Sequence, residues 1–423
     1  MPSFLRSLFF TSFLLTLIGP TTSAQEWTRF RGPNGTGRAE GDIKNIPVQW
    51  TENDYLWKTP LPGIGHSSPV VWGDRIFLLS ADPADATRYV LCLNAKNGAI
   101  EWRRGFSSKS HHLHARNSFA SSTPSVDRDR LYVAWSTPEE VTFKAFDHQG
   151  NEVWSRDLGP WVSQHGFGTS PMLFDDLVIL SNSQQAEQLE PGQKPGKSSM
   201  MAFDRKTGQL RWDRPLATSR ACYGTPCIYR PKQGPPELIC YNTADGVFSL
   251  DPKTGSRNWS IDVFRMRNVN SPIVVGDLIF GSNGSGGGGN YLVAVRAGES
   301  PQEAFRVTRH APYATTPVAH GKLVFLFYDR GIVSCIQATD GKLVWLERLA
   351  TSFSGSPVLV GERLYCIDDE GVVIVLAAKD QFQELARNPL GEPSRSTPAI
   401  SEGRMFLRTN SHLICVGGTS DAP

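Results

Sequence analysis

Short apolar runs and polar turns alternate along most of the chain, and their order repeats eight times. Each repeat opens with two small residues and a proline, followed by an apolar run, a polar turn and a second apolar run. The repeat then continues with a variable loop, a third apolar run, a second turn and a fourth run. Four short strands per 40 to 55 residues predict an all-β fold, an eight-bladed β-propeller of four-stranded antiparallel blades. The opening prolines are Pro69, Pro124, Pro171, Pro226, Pro272, Pro317, Pro357 and Pro398.

The third and fourth strands of the repeat carry its most specific pattern. Residues 202–212, with the sequence AFDRKTGQLRW, combine a small residue, a turn glycine and a tryptophan, and residues 92–102, 249–259 and 335–345 keep this spacing. Glycine suits the tight hairpin because it adopts positive φ easily, and the tryptophan ring is expected to pack between neighbouring blades. The tryptophans predicted to dock in this way are Trp57, Trp102, Trp154, Trp212, Trp259 and Trp345.

This pattern resembles the tryptophan-docking motif of the pyrroloquinoline quinone (PQQ)-like repeat family, and the resemblance extends over residues 50–418. That family includes quinoprotein alcohol dehydrogenases and the outer-membrane assembly factor BamB. The resemblance implies an exported, quinoprotein-like or BamB-like propeller. Residues 294–306 and 376–385, in the fifth and seventh repeats, lack the tryptophan, so those two blades are expected to be the least regular.

The last repeat is incomplete, because only three apolar runs follow Pro398. A tryptophan-bearing run at residues 54–61 precedes the first repeat and belongs to no blade of its own. Placing this N-terminal strand at the outside of the last blade closes the ring and removes an exposed sheet edge. The predicted organisation is a signal peptide at 1–24, an N-terminal arm at 25–50, a single propeller at 51–418 and a tail at 419–423. The arm either packs under the ring or covers one face, and packing against the ring is the expected role.

The first 24 residues have the pattern of a secretory signal peptide. Arg6 precedes an apolar run at residues 8–18, and Thr22-Ser23-Ala24 supplies small residues for cleavage. The run is shorter than the ~20 residues that a spanning helix needs, so no transmembrane segment is predicted. The chain is therefore expected to be periplasmic or secreted. A formal net charge of +2 gives no reason to expect a nucleic-acid partner.

The seven cysteines are not expected to form a disulfide framework. Cys92, Cys335 and Cys415 occupy a repeat position that holds Ala or Ser in other blades, which indicates a need for a small buried side chain. One disulfide is still an alternative, because Cys240 could pair with either Cys222 or Cys227. Packed free thiols are the favoured interpretation.

The connectors that join the fourth strand of one blade to the first strand of the next lie on one face, nearest the axis. Six of the nine His and six Arg fall in these connectors, with few acids. Converging Arg and His produce a positive potential suited to carboxylate, sulfate or phosphate groups. Because an unperturbed His has a pKa near ~6.5, mild acidification is expected to strengthen anion binding. The candidate ligand-binding residues are His66, His111, His112, His114, Arg116, His165, Arg220, Tyr223, Arg265, Arg267, Arg309, His310 and Arg395.

Three histidines between His111 and His114 allow a second interpretation, a metal cluster completed by His165 or His310. No established metal-binding motif accompanies them. No metal site is therefore predicted, and no catalytic residue is assigned.

These observations favour an exported, non-catalytic binding or scaffold protein, expected to be monomeric and to need no cofactor. Its basic mouth would bind a protein partner, an anionic small molecule or a glycan. The resemblance implies an alternative, an oxidoreductase that uses PQQ and Ca²⁺. Those enzymes pack a disulfide between adjacent cysteines on the cofactor and hold the metal with carboxylates, whereas this sequence has no adjacent cysteines and few connector carboxylates. A polyanionic-glycan binder or lyase is the third interpretation.

Overall fold

The computed structural model describes residues 26–41 and 43–418, so the predicted signal peptide and tail lie outside the described residues. Eight antiparallel sheets form the blades of a β-propeller, as the sequence predicts. First strands of neighbouring blades contact one another near the axis, as between blades 1 and 2, blades 6 and 7, and blades 8 and 1. Two short 3₁₀ helices, Pro33–Gly35 and Glu52–Asp54, lie before the first blade.

Blades 1 to 4 follow one another directly along the chain. Blade 1 contains Val70–Trp72, Arg75–Ala81, Arg88–Asn94 and Ile100–Phe106; blade 2 contains Ser125–Val126, Arg130–Ser136, Val141–Asp147 and Glu152–Asp157. Blade 3 contains Met172–Phe174, Leu177–Asn182, Ser199–Asp204 and Leu210–Pro215; blade 4 contains Cys227–Tyr229, Glu237–Asn242, Gly246–Leu250 and Arg257–Ile261.

Blades 5 to 8 complete the ring, and two of them include N-terminal strands. Blade 5 contains Ile273–Val275, Leu278–Asn283, Tyr291–Arg296 and Gln302–Val307; blade 6 contains Val318–His320, Leu323–Tyr328, Ile332–Gln337 and Leu343–Arg348. Blade 7 contains Val358–Val360, Arg363–Ile367, Val372–Ala377 and Glu384–Pro389, with Arg38–Ala39 added in parallel on its inner edge; blade 8 contains Ala399–Ser401, Arg404–Arg408, His412–Gly417 and, outermost, Trp57–Pro60.

The ring is closed by a strand from the start of the chain, which confirms the prediction. Trp57–Pro60 pairs antiparallel with His412–Gly417, and Trp57 lies opposite Cys415. The edge of the last sheet is therefore covered by strand pairing.

The small residue of the repeat lies directly across the strand pair from the aromatic ring. Cys92 lies opposite Trp102, Ala202 opposite Trp212 and Ser249 opposite Trp259. A β-bulge follows this pair in each of these blades, because the register shifts at the next residue. The bulky ring explains why Ala, Ser and Cys are interchangeable at the facing position. All seven cysteines are buried free thiols, including Cys222, Cys227 and Cys240.

Blades 5 and 7 keep the same four strands and the same bulge, although they lack the tryptophan. Phe305 lies opposite Ala294 in blade 5, and Ala386 lies opposite Val375 in blade 7. The expectation that these blades are the least regular is therefore wrong, because backbone pairing and burial of the inner strands maintain the sheet without the large ring.

Most of the tryptophan side chains contact the hairpin of the next blade. The indole Nε1 donates to a turn carbonyl in five cases: Trp57 to Ala95 (3.2 Å), Trp102 to His148 (2.8 Å), Trp154 to Arg205 (3.1 Å), Trp212 to Pro252 (3.1 Å) and Trp345 to Lys379 (3.0 Å). The turn Gly208 has φ +67°, and a Cβ there would lie 2.6 Å from the ring of Trp154. Trp259 differs, because its Nε1 donates 2.7 Å to Glu237 within its own blade.

The N-terminal arm crosses the axis and bonds to the inner strands of several blades. The backbone carbonyl groups of Trp27, Thr28 and Gly37 accept hydrogen bonds of 2.7–2.9 Å. The donors are the backbone N–H groups of Val71, Val126 and Leu359 in blades 1, 2 and 7. Arg31 is fully buried and donates to the carbonyls of Thr316 and Pro317 in blade 6. The expectation that the arm packs against the ring is thus met, and the contacts show that it spans one end of the central channel.

Candidate anion-binding site

All eight interblade connectors meet in one cavity of about 530 Å³ around the axis. The arm contributes Phe30 to its lining, so the cavity extends from the connector face down to the arm. Its volume is within the range of small-molecule binding sites.

Eight of the thirteen candidate residues line this cavity. The connector from blade 1 to blade 2 supplies His114 and Arg116. The other six residues lie on the segment before blade 1 and on four further connectors, each of which supplies one or two of them. The eight are His66, His114, Arg116, His165, Arg220, Tyr223, Arg267 and Arg395.

The other five candidates lie outside the cavity. Arg265 forms a salt bridge with Asp262 at 2.5 Å, and both side chains are well exposed. The His111 ring contacts Phe119, and the His310 ring contacts Tyr328. His112 and Arg309 are exposed side chains that do not line the cavity. The cavity wall therefore does not include these five predicted residues.

Arg267 is held in a fixed position inside the cavity. Its guanidinium donates to the imidazole Nε2 of His165 and, at 3.2 Å, to the amide oxygen of Gln185. The side chain is only 8% exposed, and its buried Nε has no partner among the described residues. Neither partner carries a negative charge, so the positive charge of Arg267 is oriented without being neutralised.

None of the other three arginines forms a salt bridge in the described part of the chain, although the charge of Arg116 interacts with that of the buried Asp329. Arg395 donates to the carbonyl of Ala115 at 2.9 Å. Arg116 and Arg220 make no side-chain hydrogen bond or salt bridge with any residue in the described part of the chain. No Asp or Glu within residues 26–41 and 43–418 lines the cavity. Four guanidinium groups therefore produce a positive potential that the cavity wall does not offset.

The pKa values of the cavity histidines are lower than the ordinary value on which the expectation for mild acidification rests. Burial, followed by the charges of Arg267 and His114, lowers the pKa of His165 to about 4. Burial and the charges of Arg395 and Arg408 lower the pKa of His66 to about 3, and burial and nearby Arg116 lower the pKa of His114. Burial first, and then the charges of the nearby arginines, thus oppose the gain of positive charge that mild acidification was predicted to give these three histidines.

Two tyrosines add neutral donors to the wall. The Tyr223 hydroxyl lies 2.9 Å from Oγ of Ser163, and burial raises its pKa to about 12, so it stays protonated at neutral pH. Tyr313 lies on a connector segment whose backbone is fixed by Asp329, a buried carboxylate that accepts from the N–H groups of Tyr313 and Ala314. Asp329 lies in a hairpin turn, and no sequence pattern indicates this positioning role.

A ring of hydroxyl groups in the cavity was missed at the sequence level. The residue before the proline that opens each repeat is always Ser or Thr, and all eight of these side chains line the cavity. The regularity is visible in the sequence, where two small residues precede each proline, but it does not by itself place these hydroxyl groups in a cavity. This hydroxyl ring consists of Ser68, Thr123, Ser170, Thr225, Ser271, Thr316, Ser356 and Thr397.

The residues present do not suit a metal or a quinone–calcium pair. In the part of the chain that the structure describes, no three His, Cys, Asp or Glu side chains are arranged to hold a metal. Of the suggested histidine cluster, His111 contacts Phe119, whereas His114 contacts the His165 ring at 4.6 Å between centroids. Ca²⁺ takes oxygen ligands and normally some carboxylates, and the described cavity wall has none.

The fold and the cavity together define an eight-bladed propeller with a basic channel mouth. The chain belongs to the family of the outer membrane protein assembly factor BamB, whose sequence model matches residues 49–299, 306–383 and 329–419. This confirms the PQQ-like repeat resemblance. No helix among the described residues is long and apolar enough to cross a membrane.

Solved structures and a curated protein extend the comparison. BamB from Moraxella catarrhalis has a TM-score of 0.60 at 16% identity, with 87% of this chain and 99% of that chain covered. The quinohemoprotein alcohol dehydrogenase of Comamonas testosteroni has a TM-score of 0.53 at 12% identity, covering 94% and 82%. These likenesses show the fold alone. Tetrathionate hydrolase of Acidithiobacillus ferrooxidans is 24% identical over 254 residues, which are 58% of this chain and 46% of that protein. The match thus spans about half the length of this curated relative.

Proposed function

We propose that this chain is an exported binding protein that holds an anionic ligand in the mouth of its propeller channel. The observation that carries the proposal is the cavity itself, where Arg116, Arg220, Arg267 and Arg395 converge and no described carboxylate lines the wall. Arginine suits the role because its planar guanidinium binds sulfate, phosphate or carboxylate through paired hydrogen bonds. Export is supported by the signal-peptide pattern of residues 1–24.

The four arginines divide into two pairs with different roles. Arg267 and Arg395 are oriented by neutral acceptors, so they lose little freedom when a ligand binds. The side chains of Arg116 and Arg220 have no hydrogen-bond partner among the described residues, so they are free to adjust to the ligand. Such an arrangement favours a small, multiply charged anion over a single carboxylate, because several guanidinium groups need acceptors at once.

A binding role is favoured over quinone-dependent oxidation. The wall that the structure describes offers Ca²⁺ no carboxylate, and no adjacent cysteines exist to form the disulfide ring of the quinoprotein enzymes. A protein partner and a monomeric state remain predictions. The matched family is described as an outer membrane protein assembly factor, and this description supports the prediction of a protein partner.

Hydrolysis of a small sulfur anion is a second candidate, favoured by the sequence match to tetrathionate hydrolase. Tetrathionate is a dianion with a sulfonate group at each end, so the same basic mouth suits it. Incubation of the pure protein with tetrathionate at several pH values, with the remaining tetrathionate measured over time, tests this candidate. Consumption that depends on the protein and is lost in Arg220→Gln supports it, and stable tetrathionate contradicts it.

Calorimetric titration of the mature protein at low salt tests the binding proposal. The ligands are sulfate, tetrathionate, propane-1,3-disulfonate, citrate and a sulfated oligosaccharide. We expect at least one to bind, and more weakly as salt rises. The sulfate, tetrathionate and sulfonate ligands stay fully ionised, so they should bind equally at pH 5.5 and pH 8, because Arg supplies the charge of the site. Arg220→Gln should weaken binding about tenfold or more, as expected for a lost charge-assisted contact.

A matched control is available on the connector that carries Arg267. Arg265 lies two residues earlier, outside the cavity, and is already paired with Asp262. Arg265→Gln should leave affinity unchanged. The proposal fails if no anion binds at low salt, or if Arg265→Gln and Arg220→Gln weaken binding equally.

A further inference from the structure

The hydroxyl ring lies next to the prolines that open the innermost strands, whereas the cavity arginines lie earlier on their connectors. Each of its members comes between a connector and the proline that opens an innermost strand, so the ring occupies the level between the mouth and the arm. Each member is at most 4% exposed, yet all eight line the cavity. The cavity wall therefore contains a circle of buried polar groups around the axis.

The ring members are connected by one repeated hydrogen bond. At seven of the eight steps around the ring, the backbone N–H of a member donates to the hydroxyl oxygen of the member in the next blade. These bonds run from Ser68 to Thr123, Thr123 to Ser170, Thr225 to Ser271, Ser271 to Thr316, Thr316 to Ser356, Ser356 to Thr397 and Thr397 to Ser68, at 2.9–3.0 Å. Each of these oxygens is thus used as an acceptor.

The hydroxyl protons have no acceptor within residues 26–41 and 43–418. No member of the ring donates through its hydroxyl to a described backbone or side-chain group, in contrast to the nearby Ser122 and Ser125, whose hydroxyls donate to Thr169 and Pro171. A buried donor without an acceptor is costly, so the ring needs a group that accepts hydrogen bonds.

We infer that the hydroxyl ring is the inner half of the anion site and binds the terminal sulfonate or sulfate group of an extended dianion. This inference rests on the proposed function. The arginines hold the outer anionic group, and the ring donates to the inner one. A sulfonate or sulfate group presents three oxygens around its axis and so engages several ring members, whereas a carboxylate presents two.

Paired ligands of equal chain length test this inference. Propane-1,3-disulfonate carries one anionic group for each half of the site, and propane-1-sulfonate carries a single anionic group that the arginines retain. We expect the wild type to bind the disulfonate at least tenfold more tightly. Ser356→Ala and Thr316→Val should each weaken disulfonate binding about tenfold and leave monosulfonate binding unchanged, as expected for loss of a hydroxyl donor to an anion.

Two further variants separate the donor role from a structural one. Ser356→Thr keeps the hydroxyl and should restore disulfonate affinity. Ser125→Ala removes an interblade hydroxyl, donating 2.6 Å to Pro171, that does not line the cavity, and it should leave affinity unchanged. Melting temperatures of all variants identify any loss of folding.

The outcomes distinguish the inference from the proposed function. If both sulfonates bind the wild type equally, or the ring variants bind the disulfonate as tightly as the wild type, the ring holds water only. The inference is then wrong and the anion site stands. If neither sulfonate nor any other anion binds the wild type, the proposed function fails and the inference fails with it.

Discussion

The guanidinium of Arg267 donates to the imidazole Nε2 of His165 and so joins the connector entering blade 5 to the connector entering blade 3. This bond uses the unprotonated imidazole nitrogen as its acceptor. Burial and the charge of Arg267 lower the pKa of His165 to about 4, which keeps that nitrogen free of a proton at neutral pH. A neutral histidine thus positions the cation without weakening the positive potential of the mouth.

The lowered histidine pKa predicts that acid destabilises the fold. In the unfolded chain His165 binds its proton near pH 6.5, whereas the folded protein resists it until about pH 4. The unfolded state therefore binds more protons within this window, and stability that is present above pH 6.5 is lost as the pH falls toward 4.

Urea unfolding at pH 7 and pH 4.5 measures this effect. His165→Gln cannot be protonated and should show a smaller loss of unfolding free energy between the two pH values than the wild type. An equal loss in both proteins would show that His165 has an ordinary pKa.

The interblade tryptophans should differ in their contribution to stability. Trp212 is buried between blades 3 and 4 and its Nε1 bonds to Pro252, whereas the Trp345 side chain is half-buried. Trp212→Ala should lower the free energy of unfolding by about 3–5 kcal/mol, through lost burial and the cavity left behind, and Trp345→Ala by less. Denaturant titration checks the order, and a larger loss for Trp345→Ala contradicts the packing described.

Deletion of residues 26–61 removes both the arm and the closing strand. The edge of His412–Gly417 then loses its partner, and the inner strands lose the buried Arg29 and Arg31. We expect a melting temperature many degrees lower than that of the mature protein and a tendency to aggregate through the open edge. A truncated protein that melts as the mature protein does would show that neither segment is part of the cooperative unit.

The fold was predictable because its signals are local and repeated. The eight prolines count the blades, and the unpaired run around Trp57 together with the incomplete last repeat indicates the closure. The observed pairing of Trp57 with Cys415 follows from those two features. Blades 5 and 7 were misjudged because the tryptophan is the most visible part of the repeat but is not needed to form the sheet.

The site was predictable only in part, because its residues lie on irregular connectors. Sequence position places a side chain on the correct face, but interblade contacts decide its direction. His114 reaches the cavity and contacts the His165 ring edge to face, while His111, three residues earlier, turns to Phe119. The Asn117 amide, which donates to the carbonyl of His165, fixes this connector across two blades. No periodicity in the sequence encodes such a contact.

The thiols provide a separate check on the core. All seven are buried, and burial raises the pKa of Cys227 and Cys335 to about 12, which suppresses the reactive thiolate. A thiol reagent should therefore label none of them in the native protein and all seven after unfolding without reductant. Labelling of only five after unfolding would reveal a disulfide, and rapid native labelling would contradict the burial.

Anomalous diffraction from crystals of the mature protein soaked in selenate tests the anion site most directly, because selenium identifies the position of an oxyanion. We predict an anomalous peak in the channel mouth, roughly 4 Å from the guanidinium carbons of two or more of Arg116, Arg220, Arg267 and Arg395, as hydrogen-bonded oxygens require. The peak should be lost in Arg220→Gln and kept in Arg265→Gln. Peaks confined to the outer surface, or a cavity peak that persists at full height in Arg220→Gln, would contradict the account.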